Sequence, residues 1–135
     1  MSKVIKLKKG LDIKLKGEAE NLVKSIEKCD FYAVKPTDFR LLTPKLAVKA
    51  GDQVKAGDVL FINKYRPEVK FTSPVSGTVE AVNRGERRKL LEVVVKADAQ
   101  IQYKDFGAAD VNKLSREEII EKLLDSGVWP MVKQR

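Results

Sequence analysis

Short aliphatic and β-branched stretches, broken by glycine and proline, dominate residues 1–100. In Lys3-Val4-Ile5-Lys6-Leu7-Lys8 apolar and charged positions alternate with the period of a half-buried strand, with the lysines on an outer face where they discourage edge aggregation. The same reading along the chain predicts strands at Val4–Lys8, Leu11–Leu15, Phe31–Val34, Leu41–Leu42, Val59–Ile62, Val69–Phe71, Gly77–Val82 and Leu91–Lys96. Turn signals separate them at Lys9-Gly10, Lys16-Gly17, Lys35-Pro36-Thr37-Asp38, Lys49-Ala50-Gly51-Asp52, Ala56-Gly57-Asp58, Arg66-Pro67 and Ser73-Pro74. Many short strands at this spacing imply an antiparallel β domain, closed or sandwiched. Glu20–Lys28 is ambiguous: Leu22, Val23 and Ile26 have helical spacing, but the stretch is short.

The period changes after residue 100. Ser115-Arg116-Glu117-Glu118 is a capping box, in which serine and glutamate satisfy reciprocal backbone N–H groups. Ile119, Ile120, Leu123 and Leu124 then form one apolar helical stripe, with Gly127 at C′ and Trp129-Pro130 as the stop. The expected organisation is a mainly β domain over 1–100, and over 101–135 a linker and an amphipathic helix that opens a second unit. The natural polypeptide is expected to continue past Arg135, giving Trp129 and Met131 a surface to bury against.

Composition narrows the chemistry. The 135 residues contain no histidine and one cysteine, Cys29, which excludes histidine general bases, an internal disulfide and a self-contained iron–sulfur cluster. No catalytic residue and no metal site is assigned. Cys29 reads as a small half-buried residue before a strand. No apolar run approaches the roughly 20 residues of a membrane span, and the opening lacks a signal-peptide core, so an intracellular chain that meets a membrane only from the side is expected.

The net charge of +8 is uneven. Residues 1–16 carry six lysines against Asp12, and residues 63–96 carry eight basic groups against four acidic ones. The densest stretch is Arg84-Gly85-Glu86-Arg87-Arg88-Lys89, where Gly85 suggests a hairpin turn with the arginines at its tip. Two readings stand for Arg84, Arg87, Arg88 and Lys89: a solvated turn, or a contact to a partner protein or an anionic ligand. Nucleic acid is not expected as a partner, because no aromatic platform is interleaved with the basic residues. Tyr32, Phe39, Tyr65, Phe71, Tyr103, Phe106 and Trp129 are scattered and read mostly as core or interface packing.

A repeat ties these elements together. Val48-Lys49-Ala50-Gly51-Asp52 recurs as Val54-Lys55-Ala56-Gly57-Asp58, followed by Val59-Leu60-Phe61. Each Gly-Asp pair permits a tight turn, a very short strand lies between the two turns, and Val48, Val54 and Leu60 fall on one inward set. Phe71-Thr72-Ser73-Pro74-Val75-Ser76-Gly77-Thr78-Val79, closed by Val82 and Gly85, is a looser copy. Two such halves resemble the barrel-sandwich hybrid of biotinyl and lipoyl domains. In those carriers the intervening hairpin presents a lysine for modification. Here it reads Asn63-Lys64-Tyr65-Arg66-Pro67-Glu68, without the flanking carrier motif, and the stretch up to Gly77 is about two residues longer. Lys64 therefore reads as a solvated tip residue.

A second resemblance covers the whole chain. Ile5-Lys6-Leu7-Lys8-Lys9-Gly10-Leu11-Asp12, Lys49-Ala50-Gly51-Asp52-Gln53-Val54, Val69-Lys70-Phe71-Thr72-Ser73-Pro74-Val75-Ser76-Gly77, Arg84-Gly85-Glu86-Arg87-Arg88 and the helix from Ser115 to Trp129 are together similar to the N-terminal third of the alpha-subunit family of sodium-translocating NADH:quinone oxidoreductases. The resemblance implies a structural, quinone-side module, non-catalytic in isolation, in a respiratory complex that passes electrons from NADH to quinone and exports sodium. It implies a peripheral position on the cytoplasmic face of a bacterial inner membrane, other subunits including membrane subunits as partners, quinone as a candidate ligand, and a helix leading into a Rossmann-like unit. The complex as a whole is expected to use NADH, flavins, an iron–sulfur centre and quinone, with none of these in this part. The chain lacks a Cys-x-x-Cys run and a Gly-x-Gly-x-x-Gly, so no cofactor-binding residue is carried over. A biotinyl- or lipoyl-type carrier domain and a basic RNA-binding protein are the alternatives.

Overall fold

The computed structural model describes residues 10, 16–17, 20–25 and 27–132. The strands expected at Val4–Lys8 and Leu11–Leu15 lie outside the described residues. The described part of 20–28 forms neither helix nor strand. Seven strands follow: β1 (Phe31–Val34), β2 (Pro44–Leu46), β3 (Gln53–Val54), β4 (Val59–Asn63), β5 (Arg66–Thr72), β6 (Gly77–Arg84) and β7 (Leu90–Ala97), and then one helix, α1 (Arg116–Asp125). They form two antiparallel sheets, β1-β7-β6-β3 and β2-β4-β5. The inner faces enclose Val54, Leu60, Phe61, Phe71, Val75, Val79, Leu90, Val93 and Val95. This is the expected mainly β barrel-sandwich with a C-terminal helix.

The repeat closes the barrel by two matching turns. Gly51 and Gly57 sit at φ +92° and +99°, a region that only glycine enters freely. The Asp52 carboxylate accepts from the Lys49 N–H at 2.9 Å, and the Asp58 carboxylate accepts from the Lys55 N–H at 2.8 Å. Each turn then clasps a strand opposite. Gly51 N–H donates to Val79 C=O and Val79 N–H to Asp52 C=O, while Gly57 N–H donates to Ser73 C=O and Ser73 N–H to Asp58 C=O, all at 2.8 Å. Val54 and Leu60 are buried and Val48 packs against them from the edge, as the repeat requires.

Bulges adjust which side chains face inward. The β4–β5 register shifts between Val59 and Phe61, so Leu60 is an extra residue and both Leu60 and Phe61 are fully buried. In β7 a shift opposite Asn83 and Arg84 passes over Leu91, which turns Leu90 into the core and leaves Leu91 exposed. The β4–β5 turn is only Lys64-Tyr65, since Asn63 pairs with Arg66. The extra hairpin length read from the sequence is taken up by a second register shift on β5.

Three expectations need correction. Leu41–Leu42 is not a strand: Leu41 has φ +60°, and the strand starts only at Pro44. A proline is tolerated at the first position of an edge strand, and it restricts the residue before it. Arg66-Pro67 is not a turn but the start of β5, an edge strand in which a missing N–H costs no ladder bond when it faces outward. Cys29 is exposed rather than half-buried, because β1 begins two residues later, at Phe31.

Residues 98–132 are sewn onto the barrel. Ala56 pairs in parallel with Tyr103, its N–H donating to Gln102 C=O and its C=O accepting from Lys104 N–H. The buried Ser76 hydroxyl accepts from Gln102 N–H at 2.8 Å. Helix α1 has its capping box in place, with Glu118 N–H donating to the Ser115 hydroxyl and Ser115 N–H to the Glu118 carboxylate. Its C-terminal end rests on β5, where the Lys70 ammonium meets the Asp125 carboxylate at 2.5 Å and Gly127 abuts Thr72. The hydrogen bond from Lys70, followed by that ammonium's charge, holds the Asp125 carboxyl below its ordinary 3.8.

This packing makes two outcomes measurable. A Cβ at Gly77 would fall within the van der Waals radius of the Lys96 carbonyl oxygen, where neighbouring backbone cannot yield. Gly77→Ala is expected to lower unfolding free energy by about 2–4 kcal/mol in chemical denaturation. Because the folded pKa of Asp125 is depressed, its contribution is complete above the ordinary carboxyl value and is lost as pH falls through the lower folded value. The only tryptophan, Trp129, lies just beyond α1, so its fluorescence should report an acid transition in that range that is diminished in Asp125→Asn.

Candidate functional site

The β6–β7 connection carries the basic cluster. Its tip is a 3-10 turn, Glu86–Arg88, in which Arg87 and Arg88 hold φ +52° and +61°. Gly85 N–H donates to Lys89 C=O at 2.8 Å, and the Arg84 guanidinium donates to Arg88 C=O at 3.1 Å. Arg84 is thus both part of the cluster and the brace of its turn. The expected hairpin tip is present, and Arg84, Arg87, Arg88 and Lys89 are all exposed on it.

The tip does not stand alone. Arg84, Arg88, Lys89 and Leu90 form one wall of a groove of about 570 Å³. The facing wall is the 3-10 turn Pro36–Asp38, the loop from Phe39 to Thr43, and β2. Arg87 does not line it. The loop adds a fourth cation, Arg40, while the floor is apolar, with Phe39, Leu42, Leu46 and Leu90. No carboxylate belongs to the described lining. Asp38 lies on the other flank of the loop, toward Pro130 and Val69, and Glu86 is not part of the groove wall.

Phe39 couples this groove to the core. Its ring stands edge-on to Phe71 at 4.6 Å, and Phe71 in turn stacks on Phe61 at 4.9 Å. The loop beyond Phe39 is therefore anchored at one end by the aromatic stack and at the other by β2. Between these anchors Leu41 is driven into the left-handed region and left 99% exposed. A leucine gains nothing there by burial and loses about 1–2 kcal/mol of backbone energy. Sequence reasoning misses Arg40 and Leu41 because it places Leu41–Leu42 in a strand.

Other candidates resolve simply. Lys64 is exposed at the hairpin tip, its ammonium 5.9 Å from the Tyr65 ring centre. Of the scattered aromatic residues, Phe39 and Phe71 pack with Phe61, whereas Tyr65 and Tyr103 are exposed. Among the described residues no group of three acidic or cysteine side chains is placed to hold a metal ion, and no helix is long and apolar enough to cross a membrane. The donor set does not fit an iron–sulfur cluster, since Cys29 is the single thiol.

The sandwich, its paired turns and its basic hairpin coincide with a known domain. The family model of the NqrA N-terminal barrel-sandwich hybrid domain matches residues 5–98. The chain belongs to that family. It is 39% identical over 134 residues to the NqrA protein of the Na(+)-translocating NADH-quinone reductase of Yersinia pseudotuberculosis, and 37% identical over the same length to those of Hahella chejuensis and Haemophilus influenzae. Each match takes in 98% of the chain and 30% of the relative, so the chain spans less than a third of the length of these relatives. Membership of the NqrA family supports a role as part of that complex over a biotinyl- or lipoyl-type carrier and over a basic RNA-binding protein.

Leu41 gives a direct check on the loop geometry. Leu41→Gly is expected to raise unfolding free energy by about 1 kcal/mol, read by thermal or urea denaturation, because the strained φ is released and no buried contact is lost.

Proposed function

We propose that this chain forms the barrel-sandwich module of the NqrA component of a sodium-pumping NADH:quinone reductase, and that it works by holding other subunits rather than by carrying a complete active site. The observation that supports this most strongly is the relation to NqrA proteins over 98% of the chain, joined to a fold whose exposed basic hairpin is braced for contact. The complex transfers electrons from NADH to quinone and exports sodium, using flavins and an iron–sulfur centre held by other subunits. This module sits peripherally on the cytoplasmic face of the bacterial inner membrane, on the quinone side. Its partners include membrane subunits, and quinone is a candidate ligand of the assembled complex. The cationic residues Arg84, Arg87, Arg88 and Lys89 form the partner contact. The boundary near residue 100 separates the sandwich from a linker and α1, which opens a Rossmann-like unit whose surface covers the half-exposed stripe of Ile119, Ile120, Leu123 and Leu124.

Assembly tests the reading. Full-length NqrA lacking residues 1–100, expressed with the remaining subunits, should fail to co-purify with them and should abolish NADH-driven quinone reduction. Normal assembly and normal quinone reduction by that truncation would sink it.

A further inference from the structure

We propose that the groove between β2 and the β6–β7 hairpin docks an extended acidic segment of a partner polypeptide, its carboxylates pairing with Arg40, Arg84, Arg88 and Lys89 and its aliphatic side chains covering Phe39 and Leu42. The inference rests on the proposed role in holding other subunits and gives that contact its chemistry.

Charge selects the sign of the occupant. Four cationic side chains converge on one hollow whose described lining has no carboxylate, and Arg40 comes from a different element than the other three. Cations held on facing walls repel one another, and an anionic occupant between them relieves that repulsion. Guanidinium groups favour planar, bidentate acceptors such as carboxylates. Shape selects a chain over a small anion. About 570 Å³ with an apolar floor exceeds what an inorganic anion fills, and the floor offers such an ion nothing.

The sheet edge selects a polypeptide over a lipid headgroup. β2 lies at the end of its sheet. Thr43 C=O accepts from Lys64 N–H and Ala47 N–H donates to Leu60 C=O, so residues 43 and 47 turn their backbone groups toward β4. Antiparallel alternation then directs those of Pro44 and Leu46 to the open edge, beside the groove that both residues line. Leu46 offers a donor and an acceptor there, and Pro44 an acceptor only, which permits a short stretch of added strand. Leu41, almost wholly exposed at the loop apex, supplies an apolar rim to the same channel.

The test is a fluorescence-anisotropy titration of the full chain with a labelled octapeptide alternating aspartate and valine. A lysine–valine counterpart, inorganic phosphate and phosphatidylglycerol vesicles run beside it. The acidic peptide should bind saturably, lose affinity as salt is added, and bind about tenfold or more weakly to Arg84→Glu/Arg88→Glu. Arg40→Glu, placed on the other wall and away from the Arg84–Arg88 hydrogen bond, should weaken it as well without disturbing the hairpin. Thermal melts of each variant separate lost binding from lost folding. Absence of saturable peptide binding, equal affinity in folded Arg40→Glu, or binding of phosphate or vesicles in place of the peptide overturns the proposal. If the peptide fails while the truncation test still shows that assembly needs residues 1–100, the groove assignment falls and the role in assembly stands.

Discussion

Two six-residue turns govern this fold. Each Lys-Ala-Gly-Asp unit uses glycine to reverse the chain and aspartate to tie the turn to its own first N–H. Each then commits its remaining backbone groups to a strand of the opposite half, Val79 for one and Ser73 for the other. A flattened barrel must join its halves without leaving buried peptide groups unpaired. These reciprocal clasps do so at equivalent positions. Because the turns fix where β3 and β4 begin, they also fix which residues of β4 enter the core.

The core in turn places the groove. Leu60 and Phe61 both point inward only because β4 is bulged, and Phe61 carries the stack through Phe71 to Phe39. Phe39 anchors the loop that presents Arg40 and Leu41. On the other wall, the bulge at Leu91 turns Leu90 inward and orients the hairpin whose basic residues flank it. A cationic, partly apolar channel thus results from two register irregularities rather than from a separate inserted element. Strained backbone at Leu41, Arg87 and Arg88 concentrates around this channel, while the barrel interior is conventional strand. Strain gathered at one exposed place, with well-packed structure beneath it, is the distribution expected of a contact site.

Much of this is legible in the residue pattern. Strand β1 is readable with its observed limits, and the central parts of β4, β6 and β7 follow from aliphatic runs between turn residues. The capping box at Ser115 specifies where α1 starts because its hydrogen bonds span only three residues. The Gly-Asp repeat is equally plain, since each turn is satisfied largely within itself. The basic hairpin is visible for the same reason. What stays hidden is everything set by non-local geometry: the strand start at Pro44, β5 running through Pro67, and the partnership of Arg40 with Arg84 across a gap in the chain.

The sequence by itself therefore determined the local devices: two tight turns, a capped helix, alternating strands and a cluster of positive charge. Their energies depend on residues close in the chain, so pattern is enough to find them. Only the tertiary structure decided which edge each strand occupies, and hence whether a proline is tolerated within it. It also decided that Leu41 would be exposed and strained instead of lying in a strand. Most of all, it brought two cationic segments to face each other over an apolar floor. Such a juxtaposition depends on sheet register and bulge position, which are settled by packing across the core and leave no periodic trace along the chain.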